Sequence, residues 1–237
     1  MPGIVIIISA NIEWEAILRL FPNTIINKSI YGDWFEDNVD MDGKKLPVIF
    51  YHGGWGKISA AASTQFVIDR WSPCLLINLG TCGGFEGDIE RGTIILVDRT
   101  IVYDIIEQMG DHDEHIEYYS TRIDLSWLGN IYPIPVRKAL LVSGDRDLIP
   151  NEIPYLKSQY NAVAGDWETG AIAWVASHNE IKLLMLRGVT DLVGLKGGEA
   201  YGNIVLFRSA TKEIMSQLVD SLPGWIKIFE AIFPKGI

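Results

Sequence analysis

The chain has 237 residues, 48% hydrophobic and 21% charged, which is long enough for one large α/β domain and too apolar for extensive disorder. With 20 Lys and Arg against 30 Asp and Glu, the formal net charge is −10, which disfavours nucleic acid and anionic membrane as partners, since both need clustered cations. Its two cysteines, Cys74 and Cys82, make no disulfide framework; both read as buried thiols, as fits a reducing cytoplasm.

Met1-Pro2-Gly3 lacks the basic region of a leader, and no apolar run approaches the ~20 residues that span a bilayer. Residues 3–10 form a continuous apolar run, the mark of a strand covered on both faces. A short helix is expected over 13–20, weak hairpin strands over 29–42, and a strand over 46–52 that stops at Gly53-Gly54. Residues 58–71 carry Phe66, Val67 and Trp71 at helical spacing, and 75–79 read as a buried strand ending in the small-residue turn Gly80-Thr81-Cys82-Gly83-Gly84. A long β-branched strand follows over 93–103, then an acidic loop over 107–121. Strands are expected over 138–143, 162–165 and 181–189, with helices over 151–160 and 169–179. The glycine-rich stretch 194–202 reads as a mobile connection, and 203–233 as a long helix broken at Pro223-Gly224. Strand and helix patterns alternate without a linker or repeat, which predicts a single domain over 1–237: a central mixed sheet with helices on both faces.

Several local patterns invite a chemical reading. Gly56-Lys57 is not a phosphate-binding P-loop, because Tyr51 stands where that motif has Gly and Ile58 where it has Ser or Thr. His112 and His115 lie three apart among acidic residues, but with no third ligand of matching spacing they read as a solvated loop, and no metal is expected. Glu15, Glu168 and Asp191 each follow a strand closely, and in an α/β sheet such positions converge on one crevice. Cleavage of a glycosidic bond has use for such a set: a proton for the leaving group, a base for water and an acceptor for sugar hydroxyls.

Five ordered blocks carry a family resemblance over nearly the whole chain. Gly53-Gly54-Trp55-Gly56-Lys57-Ile58-Ser59-Ala60-Ala61, Ile77-Asn78-Leu79-Gly80-Thr81-Cys82-Gly83-Gly84, Ser143-Gly144-Asp145, Asp166-Trp167-Glu168 and Arg187 to Asp191 resemble the nucleoside phosphorylase/nucleosidase superfamily. Within it the chain is most similar to the methylthioadenosine/S-adenosylhomocysteine nucleosidases. The resemblance implies a three-layer α/β/α phosphorylase-like fold, hydrolysis of a purine nucleoside without a cofactor, and a homodimer. It makes Asp191 the acid that protonates the purine, and Glu15, with Glu13 as rival, the residue that activates water. Glu168 would accept from the ribose hydroxyls, with Trp167 in place of the usual Met, and Arg187 would orient that region. Thr81, Cys82 and Gly83 would wall the sugar and water site, and Asp147 and Leu148 the base.

Two positions bear on the substrate. Asn78 stands where bacterial phosphorylases of the superfamily carry an Arg for phosphate, which favours water as nucleophile, although Lys57 offers another cation. Asp147 stands where the nucleosidases place an aromatic against adenine, so stacking would fall to Tyr103, Trp167 or the 107–121 segment, and a 6-oxopurine becomes eligible. The rival readings are a phosphorylase, a futalosine hydrolase and a nucleoside-binding protein without turnover.

Overall fold

The computed structural model describes residues 3–234; Met1 and Pro2, part of the stretch read for a leader, lie outside them. β1 (Ile4–Ile8) is buried at every position. α1 (Asn11–Leu20), β2 (Asn27–Lys28), β3 (Asp33–Met41) and β4 (Lys44–His52) follow, and β3 and β4 form a hairpin turned at Asp42 and Gly43, both with positive φ. α2 (Lys57–Trp71) leads to β5 (Leu75–Phe85), β6 (Ile94–Val102), α3 (His112–Tyr118), β7 (Ser120–Arg122) and β8 (Arg137–Ser143). A 3-10 turn at Pro150–Glu152 opens α4 (Ile153–Tyr160), followed by β9 (Ala164–Asp166) and α5 (Thr169–His178). β10 (Lys182–Gly194), β11 (Gly197–Gly198) and α6 (Ile204–Ile232) end the described chain.

Among the described residues, all eleven strands join one mixed sheet. β1 lies parallel between β4 and β5, and its apolar run fills the middle of the core. β10 pairs in parallel with β5 and antiparallel with β6. Because β6 also runs through β8 and β9 back to β5, these strands close into a ring, and the sheet is less open than the alternating pattern alone implies. α2 packs on α5, and α1 on α6. Among the described residues no helix is long and apolar enough to cross a membrane.

Five local expectations give way. Gly80 to Gly84 is not a turn: β5 runs straight through it, paired with β10 from Leu75 to Phe85 and with β9 at Gly83 and Gly84. Its glycines serve close approach, since a Cβ on Gly84 would sit 2.6 Å from Ile89 and 2.7 Å from Val189. The 194–202 connection is a hairpin, in which β11 folds back on β10. The acidic 107–121 segment holds α3, capped by Asp111, and β7. α6 passes through Pro223 unbroken because its buried stripe, Leu218, Leu222, Trp225, Ile226 and Phe229, continues across it. Gly224 lets Pro133 pack against the helix at that point, where a Cβ would meet Pro133 at 2.4 Å. Cys82 is a buried free thiol, whereas Cys74 is only half-buried.

Candidate active site

A cavity of about 770 Å³ opens where β5, β9 and β10 end, roofed by the hairpin after β10 and the first turn of α6. That is room for a small organic ligand. The ladder between β5 and β10 slips at Thr190: Val189 pairs with Cys82 and Asp191 with Gly83, leaving Thr190 as a bulge. A bulge re-aims the side chains beside it. Thr190 Oγ1 donates to Asp191 Oδ1 at 2.8 Å. Burial raises the Asp191 carboxyl above its ordinary value; the Thr190 bond opposes the rise, and the nearby Glu199 and Asp147 charges add to it.

Glu13 sits in the first turn of α1 and is 4% exposed, whereas the Glu15 side chain is about half exposed and pairs with Arg208 at 2.6 Å. Two residues apart on a helix, they face nearly opposite ways. Glu13 Oε1 accepts from the Thr81 backbone N–H at 2.6 Å and from Thr81 Oγ1 at 2.8 Å, while Oε2 accepts from the Ala10 N–H at 3.1 Å. Burial still raises its carboxyl, against the pull of the nearby Arg187. Gly80 permits this meeting, because a Cβ there would lie 2.9 Å from Arg187 Nη1 and 3.0 Å from Glu13 Oε1.

Arg187 is fully buried behind the cavity. Its Nε donates to Asp166 Oδ2 at 2.8 Å and its Nη2 to Asn78 Oδ1 at 2.6 Å. Asn78 in turn donates to the Ile7 carbonyl at 2.9 Å, and Asp166 Oδ1 accepts from the N–H and hydroxyl of Thr169 at the start of α5. Asn78 and Arg187 therefore brace the site and do not line it.

Glu168 ends the loop before α5 and accepts from the Gly56 N–H at 2.9 Å. Burial, reinforced by Asp166 and Glu13, pushes its carboxyl up to about 8. Trp167 beside it meets Trp55 across the cavity mouth, ring centroids 5.7 Å apart. Among the described residues, no group of three or more His, Cys, Asp or Glu is placed to hold a metal ion.

Of the residues singled out from sequence, Thr81, Cys82, Gly83, Asp147, Leu148, Trp167, Glu168 and Asp191 line this one cavity, and Glu15 stands at its edge, tied to Arg208. Tyr103 is not in the wall; it lies under the Arg146 guanidinium, 5.2 Å from ring centre to Arg146 Cζ. Lys57 is not in the wall either and is held by Asp104 and, at 3.7 Å, by Asp145. Sequence reasoning missed Asp166 as the partner of Arg187, and Tyr201, Ile204, Phe207 and Arg208 as the roof. Asp166 stands within the Asp166-Trp167-Glu168 motif, but the roof residues fall in a stretch whose pattern is that of a connection and a helix start.

A closed mixed sheet with carboxylates gathered at its strand ends defines a small-molecule enzyme of the phosphorylase-like class. A family model described as the phosphorylase superfamily matches residues 38–222, and the chain belongs to that superfamily. Its named relatives are nucleosidases. The chain is 29% identical over 159 residues to the 5'-methylthioadenosine/S-adenosylhomocysteine nucleosidase of Buchnera aphidicola, covering 62% of this chain and 68% of that one. It is 25% identical over 199 residues to the nucleosidase of the same name from Anoxybacillus flavithermus, covering 79% and 82%. Among solved structures, the fold is shared with the Helicobacter pylori 5'-methylthioadenosine/S-adenosylhomocysteine nucleosidase bound to butyl-thio-DADMe-Immucillin-A (TM-score 0.76, 16% identity, 94% and 98% covered). It is shared also with a futalosine hydrolase mutant of Helicobacter pylori (TM-score 0.71, 15% identity, 94% and 99% covered).

Proposed function

We propose that the protein hydrolyses the N-glycosidic bond of a purine nucleoside of the methylthioadenosine/S-adenosylhomocysteine type, releasing free base and sugar. The observation that carries this reading is that Glu13, Glu168 and Asp191 face one cavity from three different elements. Asp191, whose burial favours the protonated carboxyl, protonates the departing purine. Glu13 takes the role assigned above to Glu15: it reaches the cavity floor beside Thr81, where a water can be oriented and deprotonated, while Glu15 is engaged by Arg208. Glu168 receives the ribose hydroxyls, and Arg187, braced by Asp166 and Asn78, stabilises the floor against which the cationic sugar develops. As the bond stretches, the Glu13 carboxylate beside Thr81 faces positive charge on the sugar, the electrostatic match such a step needs.

Water is favoured over phosphate by the state of the cations. Lys57 is engaged by Asp104 and Asp145, Arg187 by Asp166, Arg146 by Glu152 and Arg208 by Glu15. A phosphate dianion entering this cavity would have to displace a carboxylate to gain a partner. A second reading, a nucleosidase of 6-oxopurine nucleosides with futalosine hydrolase among them, is favoured by Asp147, whose carboxylate can accept from a purine N–H.

The reading also takes the chain as one domain, since every strand joins one sheet, and as a cytoplasmic homodimer. Ile106 and Met109, 69% and 96% exposed after Tyr103-Asp104, are apolar surface that a partner copy would cover; sedimentation velocity measures it. The decisive assay is base release from adenosine, inosine, methylthioadenosine, S-adenosylhomocysteine and futalosine, each with and without phosphate. Free sugar in both conditions is expected. Sugar 1-phosphate as product would establish a phosphorylase, and tight binding without base release a binding protein.

A further inference from the structure

The start of α2 contradicts its own local chemistry. A helix N-terminus favours an acidic or capping side chain, yet α2 has no acidic residue in its first turn and no side-chain cap, and it begins with Lys57. The missing partners come from two other loops. Asp145, after β8, accepts from the Lys57 backbone N–H at 2.7 Å through Oδ1. Asp104, after β6, takes the Lys57 ammonium, which also lies 3.7 Å from Asp145 Oδ2. Asp104 Oδ2 accepts from the Asp145 N–H at 2.9 Å, closing the circuit. The residue before Lys57 is Gly56, whose N–H holds Glu168. Gly56 has φ +84°, and a Cβ there would approach Asp145 Oδ1 to 3.2 Å, so the peptide is both strained for other residues and packed against the circuit.

We infer that Lys57, Asp104 and Asp145 form a positioning clamp that fixes the Gly56 N–H against Glu168 and thereby sets recognition of the sugar hydroxyls. None of the three lines the cavity. The clamp ties the loops after β4, β6 and β8 together, so that Glu168, on a fourth loop, meets a donor held from three sides. The sugar-recognition half rests on the assignment of Glu168 made above; the Gly56 half does not. A local preference overruled at one point, with the overruling groups all directed at it, is what a site under functional selection looks like.

The test separates the two halves. In the ligand-free protein, hydrogen exchange of the Gly56 amide is followed by NMR with glycine-selective labelling. Lys57→Met and Asp145→Ala are each expected to speed it by about tenfold or more, and Lys57→Arg to keep it near the parent rate. Unchanged exchange in both Lys57→Met and Asp145→Ala overturns the clamp whatever the enzyme does. Asp145 is well exposed, so Asp145→Ala serves should Lys57→Met fail to fold. In the second arm kcat/KM is compared for methylthioadenosine and its 2′,3′-dideoxy analogue. The clamp variants are expected to lose about tenfold on the ribonucleoside, the scale of one hydrogen bond to a charged group, and little on the dideoxy analogue. Equal loss on both sugars means a merely structural role. Glu168→Gln is the control: if it too fails to distinguish the sugars, the ribose assignment of Glu168 falls and the clamp survives on the exchange data alone.

Discussion

The ends of β5, β9 and β10 bury charge in two opposite ways. Behind the cavity, Arg187, Asp166 and Asn78 partner one another and the backbone, and Asp166 also accepts from the Thr169 N–H that opens α5. In the cavity wall, Glu168 and Asp191 are buried with a single hydrogen bond or two each, and both carboxyls are raised. The satisfied set holds geometry; the under-satisfied set holds its protons to higher pH than free carboxyls do. Glu13 stands between them, with three hydrogen bonds yet still raised by burial, close to Arg187 and open to the cavity. The contrast ties reactivity to incomplete compensation of buried charge.

Breaking the satisfied set has the largest effect. Arg187→Met leaves Asp166 and Glu13 buried without their cation, at a cost of about 3–5 kcal/mol in urea unfolding. Adding Asp166→Asn should return part of that loss; a cost no greater than that of a surface substitution would show the pair to be dispensable. Next is Asp191→Asn, which keeps the shape and an acceptor for Thr190. Base release should fall by about 10²–10⁴-fold. Stability should move the other way. A carboxyl raised in the folded state contributes stability that is complete below its ordinary value of 3.8 and is lost as pH rises through the folded value. The Asn variant has no such loss, so its Tm relative to the parent should rise with pH from about 4 upward. A flat Tm difference means that Asp191 is solvated. Gly80→Ala comes third: the added methyl pushes Arg187 away from Glu13, costing about 1–3 kcal/mol and lowering turnover.

The same contrast explains how much of the site was legible from sequence. The buried strands announce themselves as apolar runs, and positions at their ends follow from the sheet, so Asp191, Glu168 and Thr81 could be expected at one cavity, which they line. The choice between Glu13 and Glu15 was not, because it turns on the register of α1. The helix begins at Asn11, so Glu13 falls where a side chain bonds back to the Ala10 N–H, a capping position that spacing from the strand end can reveal. The glycines of β5 read as a turn because glycine weakens a strand; only the packing of Ile89, Val189, Arg187 and Glu13 explains them. The unbroken α6 is a similar case, in which burial of a continuous stripe outweighs one proline. Ring closure through β10 is a long-range pairing that no local pattern encodes.

The smallest effect is the most discriminating, because it perturbs the under-satisfied set without touching its members. Glu199 and Asp147 both raise the Asp191 carboxyl by their charge, Glu199 more than Asp147. If protonated Asp191 is the acid, kcat/KM falls as pH rises through its titration. Removing a neighbouring negative charge stabilises the Asp191 anion, lowers that titration and moves the alkaline limb to lower pH. Glu199→Gln should move it further than Asp147→Asn, and Gln keeps an acceptor for the Leu192 N–H that Glu199 holds at 2.8 Å. Asp147 is exposed, so salt screens its contribution, and its shift should shrink as ionic strength rises. An alkaline limb that ignores both variants belongs to another group, with Glu168, raised to about 8, the next to test. A limb that moves with Glu199→Gln alone, while Asp147→Asn changes only the preference between adenine and hypoxanthine nucleosides, separates the two carboxylates: one tunes the acid, the other reads the base.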